Sequence, residues 1–232
     1  MSSRREQVRN ATKEEIKRIA REQMAVQGNA SISLHAIARA MGMTAPALYR
    51  YFPTSDDLIT GLVVDAYLAL AQAQEAARDS LPESEPVARL LAIVDAYRTW
   101  AVTHPTEFAL IYGTPIPGYH APMELTLPAA RRGLLILLET IQAVVQAQGE
   151  LVPDLDLRLT PDLEARLTSA AQALMPDLDP RVLYLALVGW SMAQGLVSME
   201  LFHHLEPIIG NAADLYHHEM HLWLKRLGVS LE

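Results

Sequence analysis

Apolar residues recur along this chain at intervals of three and four, and no long stretch alternates strictly between apolar and polar residues. The first spacing is typical of amphipathic helices, whereas alternation would indicate strands with one buried face. Ala, Leu, Glu, Gln and Arg, which favour helical backbone, are frequent throughout. The pattern therefore predicts an all-α protein.

The N-terminal part of the chain contains three predicted helices, of which the second and third are short. Ser33 and Thr44 are suitable N-caps for these two helices. Pro46 fits the first turn of the third helix, where its missing N–H costs little. Gly42 can supply the tight turn between them, because glycine adopts backbone conformations that strain other residues. The three predicted helices span about 12–27, 33–41 and 44–51.

Beyond this segment the pattern predicts longer helices, separated by turns that contain proline or glycine. Thr160, Asp179 and Asn211 stand at N-cap positions of three of them. Residues 112–122 interrupt the helical pattern with two Gly and three Pro. The predicted helices lie near 54–80, 90–97, 128–148, 161–174, 180–205 and 211–227.

The net charge of −8 is distributed unevenly along the chain. Residues 1–60 contain nine Lys and Arg against six Asp and Glu, and residues 61–232 contain ten against twenty-one. Screening limits the reach of each charge to roughly 8 Å at physiological salt, so a basic head on an acidic body can still attract phosphates. The overall acidity therefore does not exclude nucleic-acid binding.

Two short helices joined by a tight glycine turn have the dimensions of a helix-turn-helix. Such a motif brings the first residues of its second helix close to base edges in the major groove. Here these are Ala45, Pro46 and Ala47, whose methyl and ring carbons suit the methyl group of thymine. Three residues farther along the helix can bond phosphate oxygens: Tyr49, Arg50 and Tyr51.

Other residues of this segment support the same interpretation. The hydroxyl groups of Ser33 and Thr44 lie at predicted helix N-termini, where backbone N–H groups and the helix dipole favour an anion such as phosphate. Tyr49 and Tyr51 are two positions apart and cannot both face one core, so they are not simply packing residues. We therefore predict a DNA-binding head over residues 1–55, followed by a helical body over residues 56–232.

The segment from Ser33 to Leu58 resembles the head motif of the tetracycline-repressor (TetR) family, most recognisably in Leu48-Tyr49-x-Tyr51-Phe52-Pro53. The resemblance implies a repressor that binds a two-fold symmetric operator in double-stranded DNA. The family pattern often has a lysine where this chain has Ser55, and arginines of the N-terminal arm (Arg4, Arg5 and Arg9) can compensate for its phosphate contact. The resemblance implies the following DNA-facing residues: Ser33, His35, Thr44, Ala45, Pro46, Ala47, Tyr49, Arg50 and Tyr51.

The body resembles, more loosely, a C-terminal domain from the WHG-type branch of the same family. That resemblance rests on the loop Gly113-Thr-Pro-Ile-Pro-Gly-Tyr119 and on a helix that carries Trp190, Gly195, His203 and His204. It implies a cavity between helices that receives a small effector.

Aromatic and methionine residues of the body are individually typical of a core, but together they also suit the wall of an effector cavity. Soft methionine and flat aromatic rings favour an apolar or planar guest. We predict that a small apolar molecule binds there and releases the DNA. The predicted wall consists of Trp100, Phe108, Tyr112, Trp190 and Met192.

The predicted helices near 180–205 and 211–227 carry more apolar surface than one core-facing stripe needs. A partner subunit would bury the excess, so the sequence predicts a homodimer. The apolar residues concerned are Val182, Leu185, Leu187, Val188, Leu196, Val197, Leu201, Phe202, Leu215, Met220, Leu222 and Leu224.

A serine hydrolase is the alternative function. The sequence Gly189-Trp-Ser191-Met-Ala193 approaches the Gly-x-Ser-x-Gly nucleophile elbow. An enzyme of that kind would also need repeated strand–helix units and an oxyanion glycine cluster, which this sequence does not contain. Ser191 is better interpreted as a small residue inside a helix, and we predict a protein that is not an enzyme.

Two further features bear on cofactors and location. His217 and His221 have the spacing of zinc ligands on a helix, but no third ligand is indicated, and we predict neither a metal nor another cofactor. Residues 182–199 approach the length of a membrane span, but they include Ser191, Gln194 and two glycines, which favours a buried helix. The absence of cysteine and of a signal-peptide pattern predicts a cytoplasmic protein without a membrane partner.

Overall fold

The computed structural model describes residues 4–27, 32–148 and 159–229 of the chain. These residues form eleven helices and no strand, which confirms the predicted all-α class. The helices are α1 (Arg4–Gln27), α2 (Leu34–Ala40), α3 (Ala45–Tyr49), α4 (Ser55–Asp79), α5 (Pro86–Thr103), α6 (Pro105–Tyr112), α7 (Met123–Gln148), α8 (Pro161–Leu174), α9 (Pro180–Leu201), α10 (Glu206–Ile209) and α11 (Ala212–Arg226).

The helices form two compact units. Unit 1 consists of residues up to 69 together with 104–130, and unit 2 consists of 70–103 together with the residues from 131 onward. Unit 1 therefore contains, besides the predicted head of residues 1–55, the beginning of α4, the whole of α6 and the loop that follows it. Helices α4 and α7 each contribute residues to both units.

Unit 1 is built on a small core formed by apolar residues of α1, α2, α3 and α4 together with Phe52. Leu48 of α3 and Phe52 are buried, as the helical spacing of the apolar residues in this segment predicts. Leu110 of α6 packs against the same cluster, so α6 extends the core of the head. The cluster consists of Ile16, Ile19, Ala20, Met24, Leu34, Ile37, Ala38, Leu48, Phe52, Leu58 and Leu62.

The predicted helix caps are confirmed with one exception. Ser33, Thr160, Asp179 and Asn211 each accept a hydrogen bond from a backbone N–H in the first turn of the following helix. Thr44 precedes α3 with extended backbone, but its side chain makes no capping hydrogen bond. Its predicted role as a side-chain cap is therefore wrong.

Two helix starts differ from the prediction, and one helix was missed. Helix α1 begins at Arg4 rather than near residue 12, because its first turns are polar and carry no apolar stripe to reveal them. Helix α7 begins at Met123 and contains Pro128 in its interior, although the sequence places that proline at the helix start. Helix α6 is short, so the sequence pattern did not separate it from α5.

Helix α9 is the central element of unit 2 and packs against α5, α8 and α11. Trp223 of α11 lies against Gly189, and its indole N–H donates to the carbonyl oxygen of Leu185 over 2.9 Å. The buried Tyr216 hydroxyl donates to the carbonyl oxygen of Val94 over 2.8 Å, and burial raises its pKa. Through these two contacts α11 is joined to both α9 and α5.

Among the described helices, α9 is the one long and apolar enough to cross a membrane by length and composition. It packs instead within unit 2, with one face buried among its neighbours.

The apolar residues that the sequence assigns to a dimer interface differ in their exposure to solvent. Val182, Leu185, Val197, Met220 and Leu224 are buried inside the subunit, whereas Phe202 and Leu222 are exposed and the remaining five are half-buried.

Candidate nucleic-acid interface

Helices α2 and α3 pack against each other and are joined by a tight turn. Gly42 has a φ of 63°, in the left-handed region that favours glycine. The Met43 N–H donates to the carbonyl oxygen of Ala38 over 2.9 Å and closes the turn. Leu48 is fully buried and fastens α3 to the core of unit 1. The other residues of α3 are thereby held at the surface on a rigid support.

The nine predicted DNA-facing residues all lie on α2, on α3 or on the residues next to them. Each is at least partly accessible to solvent. Ser33, His35, Thr44, Pro46, Tyr49 and Arg50 are exposed, and Ala45, Ala47 and Tyr51 are half-buried. The structure therefore brings the predicted set together in one surface region of unit 1.

The two tyrosines of this region have different surroundings. The Tyr49 ring is 40% exposed and meets the ring of His35 edge to face, with 6.3 Å between ring centroids. Tyr51 is half-buried and packs against the core cluster. Tyr49 is thus the more accessible of the two, while packing orients Tyr51.

The start of α4 is held by reciprocal hydrogen bonds of the capping-box kind. The Asp57 carboxylate accepts from the Thr54 N–H at 3.0 Å and from its hydroxyl at 2.7 Å, and the Asp57 N–H donates to the Thr54 hydroxyl oxygen at 3.1 Å. Ser55, which occupies the position of the lysine in the family pattern, is the first residue of α4. Its short neutral side chain cannot replace that charge.

Three arginines at the start of α1 face the same region. Arg4, Arg5 and Arg9 line a surface groove together with Ala47, Arg50 and Tyr51, and the groove has a volume of about 880 Å³. The sequence offers these arginines only as an N-terminal arm, because their polar neighbours hide the helix that positions them.

The predicted effector residues are distributed over both units. Phe108 is buried in unit 1, and its ring centroid is 5.1 Å from that of Tyr112. In unit 2, Trp100 is buried on α5, Met192 is half-buried on α9, and Trp190 is 38% exposed. Phe108 and Tyr112 thus form one pair in unit 1.

Trp190 also lines a small cavity inside unit 2, with a volume of about 30 Å³. That volume is about the share of one water molecule in the liquid. Gln74, Ala193, Tyr216 and Trp223 belong to the same lining, whereas the other four predicted wall residues do not. The sequence pattern did not indicate Gln74, Tyr216 or Trp223, since these residues come from helices far apart in the chain.

The loop after α6 contains a defined turn. The Tyr119 N–H donates to the carbonyl oxygen of Ile116 over 3.1 Å, and Gly118 has a φ of 79°. Pro followed by Gly at the two central positions is typical of a type II turn. The Tyr119 hydroxyl lies 3.0 Å from that of the buried Thr60 on α4. The loop is thus hydrogen-bonded to α4 within unit 1.

The surroundings of Ser191 do not form a nucleophile elbow. Ser191 lies midway along the continuous helix α9, and its side chain is exposed to solvent. A nucleophile elbow instead requires a sharp turn from a strand into a helix.

The histidines of α11 make local polar contacts. Nε2 of His217 lies 3.4 Å from Oδ1 of Asp95, and Nδ1 of His221 lies 2.6 Å from the carbonyl oxygen of His217. Within the residues that the structure describes, no three His, Cys, Asp or Glu side chains are grouped to hold a metal ion.

Two protein-family models match the chain. Residues 16–62 match bacterial regulatory proteins of the tetR family, and residues 90–222 match the tetracyclin repressor-like C-terminal domain. The family resemblance that the sequence indicates is thereby confirmed for the head and for the body. The WHG-type branch stays a prediction.

Relatives and solved structures agree with these matches. The HTH-type transcriptional regulators Mb1846 of Mycobacterium bovis and Rv1816 of Mycobacterium tuberculosis are each 36% identical to the chain over 203 residues, covering 85% of it and 84% of the relative. The regulatory protein SCO4313 has a TM-score of 0.80 at 33% identity, covering 96% of this chain and 100% of its own.

A more distant solved structure shares the fold. PfmR, a TetR family transcriptional regulator of Thermus thermophilus, has a TM-score of 0.56 at 16% identity, with 90% of this chain and 97% of its own covered. The relatives and both family models describe regulators and not enzymes, which confirms the prediction made against a hydrolase. The chain therefore belongs to the TetR family of DNA-binding bacterial transcriptional regulators.

Proposed function

We propose that the protein is a cytoplasmic repressor that binds a two-fold symmetric operator as a homodimer and is released by a small apolar molecule. The observation that carries the DNA-binding part is the placement of α3. Leu48 fixes this helix on the core of unit 1 while Pro46, Tyr49 and Arg50 remain exposed. A short helix held in this way has the dimensions needed to enter the major groove.

Residues of α3 differ in the part of DNA that they would contact. Phosphate contacts position a protein on any duplex, and base contacts select the sequence. Tyr49 has a hydroxyl group for phosphate oxygens and lies at the end of α3, whereas Ala47 lies within its first turn. We therefore assign Tyr49 to the backbone and Ala47 to a base edge.

Replacing Tyr49 with Ala should weaken binding to all duplexes by a similar factor, because one phosphate contact is lost. Replacing Ala47 with Ser should instead change the preferred base at particular positions. The free energy of discrimination against the wrong base is about 1–3 kcal/mol for each base read directly. Selection of bound duplexes from a random pool, followed by affinity measurement at fixed salt, separates the two results. The same uniform loss from both variants would contradict the proposed docking of α3.

The homodimer part of the proposal is supported by the exposed side of α9. One side of the helix is buried inside unit 2, and the opposite side presents a stripe of residues spaced three or four positions apart. Its members are half-buried or exposed: Val188, Ser191, Gly195, Met199 and Phe202. A second copy of the stripe would cover these apolar residues, and the small Ser191 and Gly195 permit a close approach.

Two-fold symmetry follows from such an interface, since the same stripe serves both subunits. A dimer of this kind presents two α3 helices to DNA. Regulators with a helix-turn-helix contact half-sites about 34–36 Å apart, or a multiple of this distance, so the operator would consist of two inverted half-sites.

The effector part of the proposal rests on the cavity in unit 2 and on the continuity of α4. The cavity is smaller than the roughly 300–1,000 Å³ of typical ligand sites, so a ligand must widen it. Helix α4 begins in unit 1 and ends in unit 2 at Asp79. A ligand that displaces side chains around Gln74 of α4 would therefore act on a helix that continues into the head.

Replacing Ala193 with Phe should alter the effector response, because the new ring would enter the cavity. We expect the variant to mimic the ligand or to block it, so that the change in operator affinity on adding ligand falls from about 5–150-fold to near one. Compounds selected by thermal shift on the wild type supply the ligand, and Ala170→Phe on the exposed side of α8 is the control. A normal response in the Ala193 variant would exclude this cavity as the effector site.

A further inference from the structure

The groove at the start of α1 combines positive charge with an apolar floor. Arg4, Arg5 and Arg9 contribute from α1, and Arg50 contributes from the end of α3. Among the lining residues, Glu6 is the one carboxylate. The less polar part of the lining is formed by Val8, Met43, Ala47 and Tyr51.

The cations of α1 differ in their surroundings. Three of the later ones are paired with carboxylates of the protein: Lys17 and Arg21 both lie within 3.0 Å of Asp65, and Arg18 lies 2.6 Å from Glu15. Nζ of Lys13 lies 5.7 Å from the centroid of the Phe52 ring. The four groove arginines make no ion pair with a carboxylate of the described residues. Their charge is therefore available to a partner outside the chain.

These arginines do not stabilise the helix that carries them. Arg4 and Arg5 lie in the first turn of α1, where the positive end of the helix dipole disfavours cations by about 0.3–1 kcal/mol each. Val8 is 60% exposed and adds nothing to the core. The placement of the arginines points to a role in binding an anionic partner, and the exposed Val8 provides an apolar surface beside them.

We propose that this groove holds the sugar–phosphate backbone of one DNA strand. Phosphate oxygens would bind the arginines, and the deoxyribose carbons would lie on Val8 and Met43. The groove shares Ala47, Arg50 and Tyr51 with the predicted DNA-facing set, so it continues the same interface. The inference rests on the proposed binding of duplex DNA and assigns to the start of α1 the phosphate contact that Ser55 cannot provide.

The test replaces Arg4, Arg5 and Arg9 together with Gln and measures duplex affinity from low to moderate salt. Each lost phosphate contact reduces the slope of log K against log salt by about 0.9. We expect binding at low salt to weaken by at least about tenfold for every sequence, with a shallower slope and an unchanged selected site. Val8→Glu, which adds a carboxylate to the exposed floor, should weaken binding in the same direction.

The matched control replaces Arg166, Arg181 and Lys225 of unit 2 with Gln, which removes the same charge from exposed positions. An unchanged slope in the groove variant, or an equal loss in the control, would overturn the inference. A selected site altered at particular bases would also overturn it, since the arginines would then read bases. Failure of the wild type to bind any duplex would instead refute the proposed function itself.

Discussion

Replacing Gly195 with Arg is expected to convert the homodimer into monomers and to weaken operator binding by about 10²–10⁴-fold, the usual gain from linking two binding modules. Gly195 lies at the centre of the proposed stripe on α9. A Cβ built at this position meets no atom within 4 Å, leaving aside its chain neighbours and the backbone of its own helix. The subunit therefore leaves open space where the new side chain begins, whereas a partner helix packed on the stripe would meet an added arginine.

Sedimentation at micromolar concentration measures the first effect, and affinity for the selected operator measures the second. Ala170→Arg is the control, because it adds the same charge to an exposed position on α8. A Gly195→Arg protein that remains dimeric with full operator affinity would exclude the α9 stripe as the interface.

Replacing Gly189 with Ala is expected to destabilise unit 2 by about 1–3 kcal/mol, the usual cost of overpacking a core. A Cβ at this position would overlap the indole of Trp223, approaching its Cζ2 to 2.5 Å and its Nε1 to 2.6 Å. Trp223 is buried, and its indole N–H is bonded to the carbonyl oxygen of Leu185. The ring cannot move aside without losing that bond or displacing α11.

Gly195→Ala is the matched control for this prediction, since it makes the same substitution on the same helix. Nothing lies within 4 Å of its added Cβ, and alanine favours helix over glycine by about 1 kcal/mol. Urea denaturation should therefore show a lower free energy of unfolding for Gly189→Ala and an equal or higher one for Gly195→Ala. Equal losses in the two variants would show that glycine at 189 is not required by Trp223.

The features that the sequence predicted correctly are those encoded locally. The turn at Gly42 and the caps at Ser33, Asp179 and Asn211 depend on neighbouring residues, and the structure has each of them. Burial of Leu48 follows from helical spacing alone. These signals were sufficient to define the head.

The features that escaped prediction depend on residues distant in the chain. The first turns of α1 carry no apolar stripe, so nothing local indicates that Arg9 is helical and faces α3. The cavity in unit 2 combines Gln74 of α4 with Tyr216 of α11, which only the packed fold brings together. The predicted wall consists of four large aromatic residues and Met192, and of these five the cavity includes Trp190 alone.

Selection of duplexes from a random pool by the wild-type protein tests the central claim most directly. A homodimer that presents two α3 helices should enrich one inverted repeat, with half-site centres about 34–36 Å apart or a multiple of that distance. Enrichment of a single asymmetric half-site, or of no site at moderate salt, would contradict the proposal that this protein binds a symmetric operator as a dimer.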